Sequence, residues 1–227
     1  MLNISPATGI KHAFFDVDDT LISKKSMFSF IQSYFEHFSN EKIQKQFWEE
    51  IEKLLEKDTD WKIANKIYYS YFKHFPIADV ESVARQWFLG LSANKSHFYH
   101  PNIVKTLQQH QSEGTVCVFV SGSFKELLQP IADDLGVEHI LSINLERDGE
   151  RYTGNIIPPQ TIGDGKADAI NLFLDARGGD AKDCYAYGDD ISDVPMLSAV
   201  GNPVAVAGGR RLESYAKERG WPIIQPN

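Results

Sequence analysis

Cysteine is nearly absent: Cys117 and Cys184 are the two in 227 residues. Each lies inside an apolar, strand-like run rather than in a paired ligand spacing, which argues against a disulfide framework and predicts buried, reduced thiols. Positive charge is in deficit, with 23 basic against 31 acidic side chains and a formal charge of -8, so nothing marks the chain as a holder of nucleic-acid backbone. Long apolar runs are missing too. None reaches the roughly 18 residues that a membrane span needs, and Met1 to Lys11 lacks the basic start and apolar stretch of a signal peptide. A soluble, cytoplasmic protein is expected, monomer or homodimer, with neither nucleic acid nor membrane as partner. Internal repeats, low-complexity tracts and heptads are also lacking.

The composition is otherwise that of a globular protein, 42% hydrophobic and 24% charged. The run His12-Ala-Phe-Phe-Asp-Val reads as an apolar strand that ends in Asp18-Asp19-Thr20, and Thr115 to Val120 as a strand covered on both faces. His139 to Ile143, Cys184 to Tyr187 and Pro203 to Ala207 are further strand candidates. Between them, Asn102 to Ser112, Phe124 to Leu135, Lys166 to Asp175 and Arg210 to Arg219 are spaced like amphipathic helices. This alternation predicts an α/β fold, a doubly wound, mostly parallel Rossmann-like sheet with ligands at the carboxyl ends of the strands. Asp148-Gly149 between two polar-apolar runs predicts a local hairpin within Ser142 to Ile157.

Residues 22 to 98 break the alternation, with four or so helical stretches and no convincing strand. They hold 16 of the 27 aromatic residues, and their 11 basic and 10 acidic side chains leave +1 against -9 for the remainder. The expected organisation is a core of residues 1–21 and 99–227 with an all-helical module inserted at 22–98, whose aromatics chiefly form its own core.

Chemistry concentrates where strands end. Asp16-Val17-Asp18-Asp19-Thr20 places two carboxylates two residues apart beyond a buried strand; alone it also reads as an acidic turn. Ser121-Gly122-Ser123 follows the second strand, where a hydroxyl and backbone N–H groups suit anionic oxygens, although a helix cap looks the same. Lys166 opens a helix, a poor place for a cation by the dipole rule, which invites a functional reason beside that of a solvated surface lysine. Gly188-Asp189-Asp190-Ile191-Ser192-Asp193 follows another strand. Asp16, Asp18, Asp189, Asp190 and Asp193 would repel one another without a cation, and oxygen-only ligands suit magnesium, whereas no His or Cys cluster suggests zinc.

With these motifs in order, the sequence resembles the haloacid dehalogenase-like phosphatases, most closely their phosphoserine phosphatase-like branch with its helical cap. Asp16-Val-Asp-Asp-Thr is similar to the first family motif, Ser121 to the second, Lys166 to the third and Gly188-Asp189-Asp190-x-x-Asp193 to the fourth. The resemblance implies a magnesium-dependent phosphatase acting on small phosphate monoesters. Asp16 would be the nucleophile that forms an aspartyl-phosphate, and Asp18 the acid and then the base. It further implies Mg2+ held by the Asp16 side chain, the Asp18 carbonyl and Asp189, with Asp193 ordering the site. Ser121, Gly122 and Lys166 would grip phosphate oxygens, with Thr20 and Asp190 as further phosphate-site candidates. A phosphoserine phosphatase proper, a phosphotransferase using the same intermediate, and a non-catalytic phosphate-binding relative are the alternatives. Where the phosphoserine enzymes carry a glutamate that reads the substrate amino group, counting along reaches Lys25. That charge reversal disfavours an ammonium and suits a carboxylate, a second phosphate or a neutral polyol, unless Lys25 is a solvated cap residue. Lys62 and Arg85 could also face the site from the helical module, but nothing in the spacing selects them, and hinges are expected near Ile22 and Phe98.

Overall fold

The computed structural model describes residues 11–56 and 60–227, without the side chain of residue 210. The reading of the first ten residues lies outside the described residues. The elements run β1 (His12–Phe15), α1 (Ser26–His37), α2 (Glu41–Glu56), α3 (Trp61–Ser70), α4 (Ile77–Ser92), α5 (Lys95–Phe98), α6 (Pro101–Ser112), β2 (Val116–Phe124), α7 (Lys125–Leu135), β3 (His139–Asp148) and β4 (Arg151–Ile157). They continue with α8 (Asp164–Arg177), β5 (Tyr185–Gly188), α9 (Val194–Ser198), β6 (Asn202–Val206), α10 (Arg210–Arg219) and β7 (Ile223–Ile224).

The strands form one sheet in the order β4-β3-β2-β1-β5-β6-β7. All neighbours pair in parallel except β3 and β4, which make the expected antiparallel hairpin, with Asp148 opposite Arg151. Alternation along each strand sends side chains to two separate cores. Phe14, Val118, Val120, Ala186 and Ala205 pack with Ile170 and Leu174 of α8, Met196 and Leu197 of α9, and Leu212 and Ala216 of α10. On the opposite face Ala13, Phe15, Cys117, Phe119 and Val206 belong to a larger cluster with Ile103 and Leu107 of α6 and Leu127, Leu128 and Ile131 of α7. That cluster continues without a break into the helices α1–α4 through Phe30, Phe35, Tyr68, Tyr69, Phe72 and Trp87. Helices on both faces of a mostly parallel sheet are the architecture the alternation predicted. Both cysteines are free and buried.

The junction of β2 and α7 differs from the sequence reading. β2 runs on through Ser121-Gly122-Ser123 to Phe124, because a register shift between Val120 and Phe124 absorbs extra residues opposite β3 and keeps the chain extended. Helix α7 therefore starts at Lys125 with Phe124 as a cap that makes no side-chain hydrogen bond, and the serines do not cap it. The two-residue β7 is too short to leave a pattern in sequence.

The connections into and out of the helical segment lie side by side: Ile22 bridges Tyr99, Ser23 N–H donates to the Phe98 carbonyl at 2.9 Å, and His100 N–H donates to the Leu21 carbonyl at 2.9 Å. Among the described residues no helix is long and apolar enough to cross a membrane.

Candidate active site

The convergence of the acids follows from strand order. β1 and β5 are adjacent and parallel, with Phe15 opposite Tyr187, so the residues that follow them emerge side by side. Asp16 N–H extends that ladder to the Tyr187 carbonyl at 2.9 Å, and Asp189 begins one residue beyond the paired end of β5. The next residues alternate: Val17 and Leu21, both fully buried, enter the core while Asp16 and Asp18 line a cavity of about 220 Å³. Asp19 adopts a left-handed φ of 60°, tolerable for aspartate. Fully buried Thr20 follows, and its hydroxyl donates to Asp189 Oδ1 at 2.8 Å.

The same cavity is lined by Ser121, Gly122, Lys166, Asp189, Asp190 and Asp193. Carboxylate oxygens of Asp16, Asp189 and Asp193, all buried, lie within 4.8 Å of one another. Lys166 Nζ sits between two of them, 2.6 Å from Asp16 Oδ1 and 2.6 Å from Asp193 Oδ1. These partners explain a cation in the first turn of α8. Burial alone would lower its pKa, but the two carboxylates outweigh burial and hold Lys166 charged, above the ordinary lysine range. Gly188 is required by the close approach of Asp193, since a Cβ there would stand 2.6 Å from Asp193 Oδ2.

The acids respond to this crowding. Burial, followed by repulsion from Asp16 and Asp193, raises Asp189 to about 8. Burial lifts Asp193 to about 6 although Lys166 opposes it. Asp18 is raised to about 7, chiefly by burial and further by Asp16, against hydrogen bonding from Ser26. Asp18 Oδ2 accepts the Ser26 N–H at 3.1 Å and the Ser123 hydroxyl at 3.4 Å, whereas its Oδ1 is buried with no hydrogen-bond partner. Three close oxygen ligands short of positive charge are what a hard divalent cation requires, so the residues fit Mg2+.

The remaining candidates divide. Asp190 lines the cavity, but its Oδ1 accepts the Ser192 N–H at 2.9 Å in a capping box that Asp193 completes; burial would raise its pKa, and those bonds bring it below the usual value. The Thr20 hydroxyl is committed to Asp189 and orients that acid. Lys25 does line the cavity, half-exposed, with Nζ 2.8 Å from Asp19 Oδ2. Lys62 instead reaches Asp164 at 3.5 Å. Arg85 does not line this cavity: it lines a larger cleft of about 590 Å³ with Glu81, Phe88, Lys125, Glu126 and Arg147. Sequence reasoning missed Ser26 and Ser123, whose hydroxyls lie 2.7 Å apart beside Asp18, and the cavity rim of Met27, Phe28, Trp61 and Ile162.

The haloacid dehalogenase-like hydrolase family model matches residues 13–198. A probable phosphatase of Mycobacterium tuberculosis is 30% identical over 216 residues, which covers 93% of this chain and 74% of the relative. Among solved structures, a protein of unknown function from Bordetella pertussis superposes with a TM-score of 0.84 at 22% identity, covering 97% of this chain and all of its own. The phospho-aspartyl intermediate analogue of a phosphoserine phosphatase superposes with a TM-score of 0.66 at 19% identity, covering 96% and 94%. At these identities the two structures speak for the fold. The chain belongs to the haloacid dehalogenase-like hydrolases and groups there with phosphatases.

Proposed function

We propose that this protein is a magnesium-dependent phosphatase that hydrolyses small-molecule phosphate monoesters through an aspartyl-phosphate on Asp16. The observation that carries the reading is the buried cluster of Asp16, Asp189 and Asp193 with Lys166 wedged between two of its members. Asp16 Oδ attacks phosphorus while the bond to the leaving alcohol breaks, and Asp18 gives that oxygen its proton. Water then attacks the acyl-phosphate, Asp18 takes the water proton, and the Asp16–phosphorus bond breaks to release inorganic phosphate. A carboxyl raised to about 7 is suited to both tasks. Lys166 holds Asp16 in one orientation, and with the Ser121 hydroxyl and Gly122 N–H it grips the equatorial oxygens of the phosphoryl group. Magnesium, held by the Asp16 and Asp189 side chains and the Asp18 carbonyl with Asp193 ordering the site, would offset repulsion between carboxylate and phosphate. Residues 22–98 act as a cap over the cavity.

Lys25 bears on the substrate. An ammonium on the alcohol would find at the cavity wall no lone carboxylate but a lysine paired with Asp19, so phosphoserine gains nothing there, and a substrate with a carboxylate, a second phosphate or a neutral polyol is preferred. Hydrolysis of a generic aryl phosphate tests the class: turnover should need magnesium, stop with a chelator and return when magnesium is restored. Equal rates in excess chelator would overturn the proposal.

A further inference from the structure

Ser121 and Gly122 can grip an anion only if their peptide groups and hydroxyl are aimed, and both peptides are held by side chains from elsewhere in the chain. The Thr161 hydroxyl donates to the Ser121 carbonyl at 2.6 Å. Asn65 Nδ2 and the Tyr69 hydroxyl both donate to the Gly122 carbonyl, each at 3.0 Å. In a trans peptide the carbonyl and the N–H point in opposite directions. A Gly122 carbonyl drawn towards α3 therefore turns the Ser123 N–H away from α3, where it donates to Ser121 Oγ at 3.1 Å. That bond uses a lone pair of the Ser121 hydroxyl and leaves its proton to be given to a ligand. By the same geometry, the Ser121 carbonyl held by Thr161 turns the Gly122 N–H away from Thr161.

The Asn65 amide is itself oriented. Gln160 Nε2 donates to Asn65 Oδ1 at 3.0 Å and to the Lys62 carbonyl at 2.9 Å, so Asn65 must present its NH2 group to Gly122. Asn65 is 1% exposed and Tyr69 fully buried. A buried amide inside a helix is worse for stability than an apolar residue of its size unless it is fully bonded. The Tyr69 ring does pack on Phe72 and Phe124, yet that packing needs no hydroxyl.

We infer that Asn65 and Tyr69 are positioning residues of the phosphate site: through the Gly122 carbonyl they set the Ser121 hydroxyl as a donor. Both stand on α3, so the seating of the helical segment and the readiness of the phosphate loop are one event. The inference rests on the phosphate-gripping role proposed for Ser121 and Gly122.

Two donors on one acceptor predict synergy. Tyr69→Phe or Asn65→Ala alone leaves the carbonyl bonded and should change kcat/KM and the inhibition constants of inorganic phosphate and orthovanadate by less than about threefold, whereas the pair should weaken all three by about thirtyfold or more. A merely structural role would lower the melting temperature of the double variant without weakening phosphate inhibition measured well below it. A folded double variant whose phosphate inhibition stays within about threefold of the parent overturns the inference. Should the double variant not fold, Tyr69→Phe with Asn65→Leu, which keeps both side-chain volumes and adds no charge, takes its place: a loss of phosphate affinity of about tenfold or more supports the inference, and a smaller one overturns it. Ser121→Ala separates the two levels. If it binds phosphate as the parent does, the loop's proposed role falls and takes the inference with it; if it binds weakly while the double variant does not, the inference alone falls.

Discussion

The rings of Phe30 and Phe72 in the helical segment and the carboxylates of Asp16, Asp189 and Asp193 are all buried, and they act on the fold in opposite directions. Phe30 and Phe72 each meet Phe124 of β2 with centroids 5.2 Å apart, and every such contact removes apolar surface from water. Asp18, Asp189 and Asp193 are held where ionisation is unfavourable, as their raised pKa values record. The two regions meet inside one motif: Val17 and Leu21 join the same cluster as the rings, while their neighbours Asp16 and Asp18 face the cavity. Function is thus assembled from groups that weaken the fold, on a scaffold whose stability comes from side chains with no part in the chemistry.

The sharpest way to break this division is Asp16→Asn. Turnover of an aryl phosphate should fall by at least about 1000-fold, because the proposed nucleophile is lost, while thermal melting stays close to that of the parent. A variant that keeps its activity would remove Asp16 from the chemical side of the comparison. The opposite variant is Phe72→Ala. Phe72 is fully buried among Phe30, Tyr68, Tyr69, Phe75, Phe124 and Tyr152, so urea unfolding should show a loss of about 3–5 kcal/mol. The folded fraction should keep a kcat within a few-fold of the parent.

Asp18 joins the two sides. Its folded pKa of about 7 lies above the unfolded value of 3.8, so its contribution to stability is complete below 3.8 and is lost as the pH rises through about 7. Asparagine mimics the neutral acid and accepts the same Ser26 N–H. Asp18→Asn should therefore be more stable than the parent at pH 8 by about 1–3 kcal/mol, with little difference at pH 4, although it lacks the proposed acid and base. Chemical unfolding at the two pH values checks this. An equal effect at both would mean that the acid carries no ionisation penalty.

What could be read in the sequence, and what could not, follows the same boundary. Asp16, Ser121 and Asp189 announce themselves because each follows an apolar run closely, and the alternation of strands and helices is enough to bring the ends of β1, β2 and β5 to one edge. Lys166 stands out only by offending the helix dipole. Asn65, Tyr69 and Gln160 give no such sign: their partners are backbone carbonyls met through tertiary docking, and neither spacing nor periodicity encodes which carbonyl a helix will reach. For the same reason nothing in the spacing selects Arg85 or Lys62, and α4 carries Arg85 to a different cleft. The Ser-Gly-Ser run resembles a helix cap because residue type alone cannot reveal the register shift that keeps it extended.

The smallest expected effect concerns Lys25, where the comparison is between two charges rather than two cores. Lys25 and Asp19 form a half-exposed pair at the cavity wall, so the mouth presents a balanced pair to the far end of a substrate. Replacing Lys25 by Met leaves Asp19 alone, at net -1, and replacing it by Glu gives -2. Each unit of charge at this distance from a bound ammonium, partly screened by water, is worth about 1 kcal/mol, or roughly fivefold in kcat/KM. Across Lys25, Lys25→Met and Lys25→Glu, the preference for phosphoserine over a phosphate ester bearing a lone carboxylate should climb in two comparable steps. High salt should flatten the series, because exposed charges are screened over about a Debye length. A preference that does not move, or that moves equally in low and high salt, would place the alcohol end of the substrate out of reach of this pair and return specificity to the apolar rim of Met27, Phe28 and Trp61.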